Sequence, residues 1–227
     1  MTPCRTLAIC ERELLAARQR TTDLEKQLSL LRAELQLLAR SQAEAHRRAH
    51  FDALTGLPNR FLLLDRFHQA AAQAKRMRTQ LALLYLDLDG FKAVNDALGH
   101  ATGDELLKRV ATRLLACIRA SDTASRQGGD EFVILLAEVA EGEGALLAAE
   151  KIRAHLAMPY VIGETAIQMT TSIGVAVYPI DGHEHSELLQ RSDLAMFHNK
   201  GEMSTRPSIF RVDQSLVCDT MESHVGQ

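Results

Sequence analysis

Residues 7–48 contain neither proline nor glycine, and within them Leu24, Leu28, Leu31, Leu35 and Leu38 recur at alternating steps of four and three. This spacing marks the d and a positions of a coiled coil and predicts a long helix whose narrow leucine seam suits a partner helix. The seam extends backwards through Ala17 and Leu14, with Thr21 as its weak point. Forwards it meets polar Gln42 and small Ala45, where the zipper is expected to loosen before Asp52. An amphipathic helix packed on its own domain is the alternative, but that arrangement calls for a wider apolar stripe. A parallel homodimer through the N-terminal helix is the favoured reading.

Gly56 and Pro58 break the helical pattern and mark a domain boundary. A helix is predicted over residues 61–77, followed by the near-continuous apolar run Gln80–Leu88, as expected of a central strand covered on both faces. Asp87 stands near its carboxyl end, where open α/β sheets place ligands. Further on, the pattern predicts a helix over residues 103–119, a short strand up to Gln127, a strand over 132–136 and a helix over 144–156. A strand pair over 160–162 and 166–178, a helix over 187–200 and a last short strand over 208–212 complete it. Strands alternating with helices around one hairpin predict an α/β sandwich of the α+β class with a mixed central sheet. The chain thus divides into a helix over residues 1–50, a globular domain over 51–212 and a tail over 213–227 that is expected to be flexible.

The hairpin carries the most informative run, Arg126-Gln127-Gly128-Gly129-Asp130-Glu131-Phe132. Paired glycines permit backbone angles that a side chain forbids and leave the loop bare enough for a ligand to touch the main chain. Taken singly, Asp130, Glu131 and Asp87 would each be ordinary solvated turn residues. Brought to one end of the sheet, three carboxylates are costly unless a divalent cation joins them. Hard oxygen ligands suit Mg²⁺ or Mn²⁺, with water and substrate phosphates filling the remaining positions. Two such ions about 3.5–4 Å apart can activate an attacking hydroxyl and stabilise a leaving pyrophosphate.

Composition narrows the substrate. At 227 residues and 46% hydrophobic, the chain supports one well-buried domain and an appendage. With 26 Lys+Arg against 29 Asp+Glu there is no basic footprint for a nucleic acid polymer, so free nucleotides are the expected substrates. Cys4, Cys10, Cys117 and Cys218 fit neither a disulfide framework nor zinc spacing, which points to the reducing cytoplasm. No apolar run approaches the roughly 18 residues of a membrane span, and residues 1–10 lack the apolar stretch of a signal peptide. His183 and His185 flank Glu184, and a solvated loop is preferred there to a metal site.

From residue 52 to residue 200 the sequence resembles the GGDEF-domain diguanylate cyclases. The run Asp52-Ala53-Leu54-Thr55-Gly56-Leu57-Pro58-Asn59-Arg60 is similar to the opening motif of that family. The segment from Leu86 through Asp87, Leu88, Asp89, Gly90, Phe91, Lys92 and Asn95 to Asp96, with Gly99-His100 and Gly103-Asp104 beyond it, is similar to its metal and base site. The Gly128-to-Phe132 run contains its signature. The resemblance implies condensation of two GTP into cyclic di-GMP, with two metal ions per active site, on a fold like that of nucleotide cyclases and polymerase palms. By the same resemblance, Asp87, Asp130 and the Leu88 carbonyl would ligate metal, and Glu131 would bind metal or assist deprotonation of the ribose 3'-hydroxyl. Asn95 and Asp104 would read guanine, Lys92 and Lys200 would approach phosphates, and Gly128 and Gly129 would let the main chain near the triphosphate. Arg119 and Asp122, nine and six residues before Gly128, resemble the family's product-inhibition pair. As the planar fork of arginine and a carboxylate, they suit guanine or phosphate.

The chain departs from the pattern beyond Lys200, where Met203 and Ser204 stand in place of an expected Gly-Arg. Losing one charge-assisted bond costs about 1.5–3 kcal/mol, which predicts GTP binding weakened roughly 10- to 150-fold rather than inactivity. Two rivals follow: a catalytically weak or inactive cyclic di-GMP receptor signalling through its coiled coil, and a coiled-coil assembly module with an inert cap.

Overall fold

The structure, a computed structural model, describes residues 3–140, 143–203 and 208–211. The chain falls into two compact units, Met1–Ala49 and His50–Gln227. The first is a single helix, α1 (Pro3–His50, 48 residues). Its seam residues Leu24, Leu28, Leu31, Leu35 and Leu38 are between 53% and 62% exposed. Among the described residues, no helix is long and apolar enough to cross a membrane.

The second unit begins with α2 (Arg60–Met77), whose first turn is capped by the Asn59 side chain accepting from the Phe61 and Leu62 amides. It continues through β1 (Gln80–Leu88), α3 (Phe91–Leu98), α4 (His100–Cys117), β2 (Thr123–Gly128), β3 (Glu131–Val139) and α5 (Gly144–Leu156). After these come β4 (Tyr160–Ile162), β5 (Thr165–Gln168), β6 (Thr171–Tyr178), α6 (His185–Met203) and β7 (Ser208–Arg211). The main sheet has the order β2-β3-β1-β6, and β4-β5-β7 form a small second sheet. The even-numbered positions of β1, namely Ala82, Leu84, Leu86 and Leu88, pack with α3, α4 and α5; Leu81 and Leu83 pack with α2 and α6. Alternation of side chains along a strand thus buries both faces of β1, as its unbroken apolar run requires.

The α+β architecture agrees with the sequence pattern, but three details differ. All three pairings of the main sheet are antiparallel rather than mixed. The crossover through α3 and α4 does return β2 to the direction of β1, but the β2–β3 hairpin inserts β3 between them. The helix predicted from residue 103 starts at His100 and is preceded by a separate helix, α3. Gly99, at φ 82°, divides the two, and the eight-residue α3 with buried Phe91 and Val94 is too short for a periodic signal. The single strand predicted over 166–178 is divided between the two sheets. Asp89 draws the chain across at the break, its amide donating to the Thr170 carbonyl and its carboxylate accepting from Thr170 Oγ1 at 2.6 Å. Because the apolar pattern continues through Met169, it gives no sign of the change. Val212 and the tail lie outside the described residues.

Two glycines set how closely helices approach the functional end. A Cβ on Gly174 of β6 would stand 1.9 Å from the Ser192 carbonyl oxygen and 2.2 Å from the Met196 nitrogen, so the α6 backbone rests directly on the strand. Since both obstacles are backbone, relief requires moving the helix. Gly174→Ala is expected to cost about 1–3 kcal/mol in denaturant unfolding; an unchanged midpoint would show that α6 is not seated as described.

Candidate active site

Strand register brings the acidic residues together. Asp87 of β1 lies opposite Glu131 of β3 on one side and Ser172 of β6 on the other. Asp130 immediately precedes Glu131 in the turn that Gly128 and Gly129 open at φ 149° and 52°. A Cβ added at either glycine would meet no atom within 4 Å, so the turn presents bare backbone to an open space. Burial first, and then the charge of Asp87, raise the Asp130 carboxyl above its ordinary value. Ionising Asp130 in the folded state therefore costs stability as pH rises through that raised value, unless a cation answers the charge.

Neighbouring groups partly answer it. Lys200, near the end of α6, places Nζ 2.6 Å from Asp87 Oδ1. Burial works to lower the lysine's pKa, but the bond to Asp87 and the surrounding acids outweigh it and hold the ammonium above its usual range. Tyr85, two residues before Asp87, donates its hydroxyl to Glu131 Oε2 at 3.1 Å. Burial, followed by the charge of Glu131, pushes the phenol upward, so it remains a neutral donor. Asp89 is 1% exposed and its carboxylate is taken up by hydroxyls, accepting from Ser172 Oγ at 2.7 Å as well as from Thr170. It is an anchor for the loop after β1, a part that its place in the motif does not reveal.

Arg126 ties the glycine turn to the start of the unit. Its Nη1 donates to Asp52 Oδ1 and Oδ2 at 3.0 and 3.2 Å, while Nε and Nη2 donate to the Gly129 carbonyl at 3.0 and 2.7 Å. Its amide donates to the Pro58 carbonyl at 3.1 Å. Asp52 also accepts from the Thr55 amide and hydroxyl, and although burial opposes it, these bonds and Arg126 together hold its carboxyl below the usual range. The chemistry-bearing turn therefore hangs from a residue two positions beyond the end of α1. The two motifs carry no local signal that joins them, because 74 residues separate the partners.

On the other side of β1, α3 and α4 meet at Gly103, where a Cβ would stand 1.9 Å from Asn95 Oδ1. The half-buried Asn95 amide therefore lies beside Gly103, in the first turn of α4, and Asp104 follows on an exposed position of that helix. Lys92 is exposed on the first turn of α3. Arg119 and Asp122 line a separate cavity of about 350 Å³ with Cys117, Glu138 and Lys151. Asp122 is largely buried, and its two oxygens accept from the Arg119 and Ala137 amides at 3.0 and 3.1 Å. It thus fastens the α4–β2 loop to β3, leaving a second lone pair on each oxygen for any ligand. His185 packs edge-on against Phe67 at 5.2 Å and His183 against Tyr178 at 5.6 Å, which are packing roles. Ser204 lies outside the described residues.

Among the described residues, no three His, Cys, Asp or Glu side chains form a ready-made metal cage. The donor set at the β1 end nonetheless fits a hard cation. Mg²⁺ keeps several waters and is commonly held by one or two carboxylates plus substrate phosphates, and Asp87 and Asp130 are close enough to raise the latter's pKa.

The globular unit is thus an antiparallel α+β domain with paired carboxylates beside a glycine turn. The chain belongs to the family described as diguanylate cyclase, GGDEF domain, whose model matches residues 49–206. It is 48% identical over 178 residues to the bifunctional diguanylate cyclase/cyclic di-GMP phosphodiesterase MucR of Pseudomonas aeruginosa, covering 77% of this chain and 26% of that protein. It is 41% identical over 150 residues to diguanylate cyclase TpbB of the same species, covering 66% and 34%. The chain thus spans about a quarter to a third of the length of these curated relatives. Among solved structures, the coiled coil and GGDEF domain of DgcB from Caulobacter crescentus in complex with c-di-GMP superposes with a TM-score of 0.69. The two are 30% identical, and the match covers 81% of this chain and 97% of that one. The GGDEF domain of TpbB gives 0.66 at 40% identity, covering 68% and 91%.

Replacing Arg126 tests the clasp. Arg126→Ala removes its four side-chain hydrogen bonds to Asp52 and Gly129 and is expected to cost about 2–3 kcal/mol in urea unfolding. A loss below about 0.5 kcal/mol, within the range of ordinary surface changes, would show that the turn is held by other means.

Proposed function

We propose that this chain is a diguanylate cyclase that condenses two GTP into cyclic di-GMP and two pyrophosphates. The observation that carries the reading is the register of Asp87 with Glu131, one residue from Asp130 and the open glycine turn. In each half-reaction the 3'-hydroxyl oxygen of one GTP bonds to the α-phosphorus of the other. The bond from that phosphorus to its β-bridging oxygen breaks, and pyrophosphate leaves with the electron pair. Two Mg²⁺ or Mn²⁺ ions would supply phosphate charge neutralisation and acidify the attacking hydroxyl. Asp87, Asp130 and the Leu88 carbonyl would hold them, and Glu131 would join them or receive the hydroxyl proton. Asn95, which Gly103 of α4 approaches, and Asp104, the next residue of that helix, would present an amide and a carboxylate to the guanine edge. Lys200 has three N–H donors, so its bond to Asp87 leaves others for the terminal phosphates, while Lys92 approaches from α3. Gly128 and Gly129 give those phosphates access to backbone.

One domain offers a single GTP site of this kind, whereas the product contains two equivalent linkages. Two copies facing each other across a twofold axis satisfy both. The exposed leucine seam of α1 suits a parallel zipper that raises the effective concentration of the two domains. The Arg119–Asp122 cavity is the candidate site for feedback by cyclic di-GMP, with Arg119 exposed at its mouth and Asp122 fixed at its wall. The cytoplasm, where GTP and magnesium are available, is the corresponding location.

Incubation with GTP and Mg²⁺ followed by chromatography should yield cyclic di-GMP, and Asp130→Asn should reduce turnover by at least about 100-fold. Turnover that survives Asp130→Asn refutes the metal assignment. Deleting residues 1–40 is expected to preserve the fold while making specific activity strongly dependent on protein concentration. Unchanged specific activity at nanomolar protein would remove the zipper from the mechanism.

A further inference from the structure

Tyr85 lies outside the motifs that mark the site, yet it is the group that holds Glu131. On the antiparallel β1–β3 pair Tyr85 stands opposite Val133, two residues from Glu131 and on the same face of the sheet. Diagonal neighbours of this kind are about 7–8 Å apart at the backbone, within reach of an aromatic side chain. The hydroxyl closes that diagonal, donating to Glu131 Oε2 at 3.1 Å. The ring is half-buried and packs against the apolar layer beneath α2 and α6 that contains Leu83, Val133 and Leu188. With only two rotatable side-chain bonds and a ring fixed by packing, it is a stiff arm. Glu131, by contrast, has three such bonds and sits at the first position of its strand, beside an open turn.

We propose that Tyr85 is a positioning residue for Glu131. It fixes the carboxylate's rotamer through Oε2 and leaves Oε1 directed to the reacting centre. The inference rests on the reading of the site as a GTP-condensing centre in which Glu131 takes part. Groups that orient a catalytic or metal-bound side chain typically change activity by 10- to 100-fold when removed, and a pre-set rotamer acts on the chemical step more than on substrate binding.

The test uses the full chain and initial rates. Tyr85→Phe deletes only the hydroxyl and keeps the ring in its apolar layer. It is expected to lower kcat about 10-fold, with KM for GTP within about twofold and an unchanged melting temperature. Glu131→Asp withdraws the carboxylate by one methylene, out of the hydroxyl's reach, while keeping its charge. In that background Tyr85→Phe is expected to change kcat less than about twofold, because the bond is already broken. An unchanged kcat in Tyr85→Phe, a loss carried by KM, or the same fold loss in both backgrounds overturns the proposal. Failure of the wild-type chain to convert GTP would instead remove the catalytic reading itself. Wild-type turnover with a silent Tyr85→Phe removes only the role of Tyr85.

Discussion

Repulsion among carboxylates at the end of β1 is the constraint around which the globular unit is arranged. Two like charges about 4 Å apart cost on the order of 4 kcal/mol at an effective dielectric near 20. The sheet nonetheless sets Asp87 against Glu131 with Asp130 beside them. The surroundings offset this locally: Lys200 bonds Asp87, Tyr85 bonds Glu131, and Asp130 is left with a raised pKa. What remains uncompensated is the charge of Asp130, which the proposed divalent cation would answer.

The placement of the supporting groups follows from close backbone approach. Gly174 lets α6 lie against β6, and α6 carries Lys200 to Asp87. Gly103 lets α4 approach α3 at the Asn95 side chain. Arg126 then binds the glycine turn to Asp52, close to the exit of α1. The Lys200–Asp87 and Arg126–Asp52 bonds are part-buried, and the Arg126–Gly129 bond is exposed.

Much of this was legible in the residues. The apolar run of β1, the leucine seam of α1 and the double glycine are local signals, and the structure has a helix, a buried central strand and an open turn at those places. The site acids could be grouped because a hairpin pairs by default with a neighbouring strand. Less was readable where the determining contact is long-range. The division of residues 166–178 between two sheets depends on Asp89, and the antiparallel sheet depends on β3 entering between β1 and β2. The Asp52–Arg126 and Tyr85–Glu131 bonds cross strands or motifs and leave no periodic trace. Asp122 was expected to face a ligand, and its carboxylate is already engaged by two amides, a role that depends on the position of Ala137.

The central claim is that the carboxylate end of β1 is held at a cost that a divalent cation removes. The melting temperature of the intact chain, followed as Mg²⁺ is titrated at constant ionic strength and neutral pH, tests it directly. The account predicts a saturable rise, steeper with a non-hydrolysable GTP analogue present because phosphate oxygens complete the ion's shell. A melting temperature that stays flat through the titration, with and without the analogue, would contradict it.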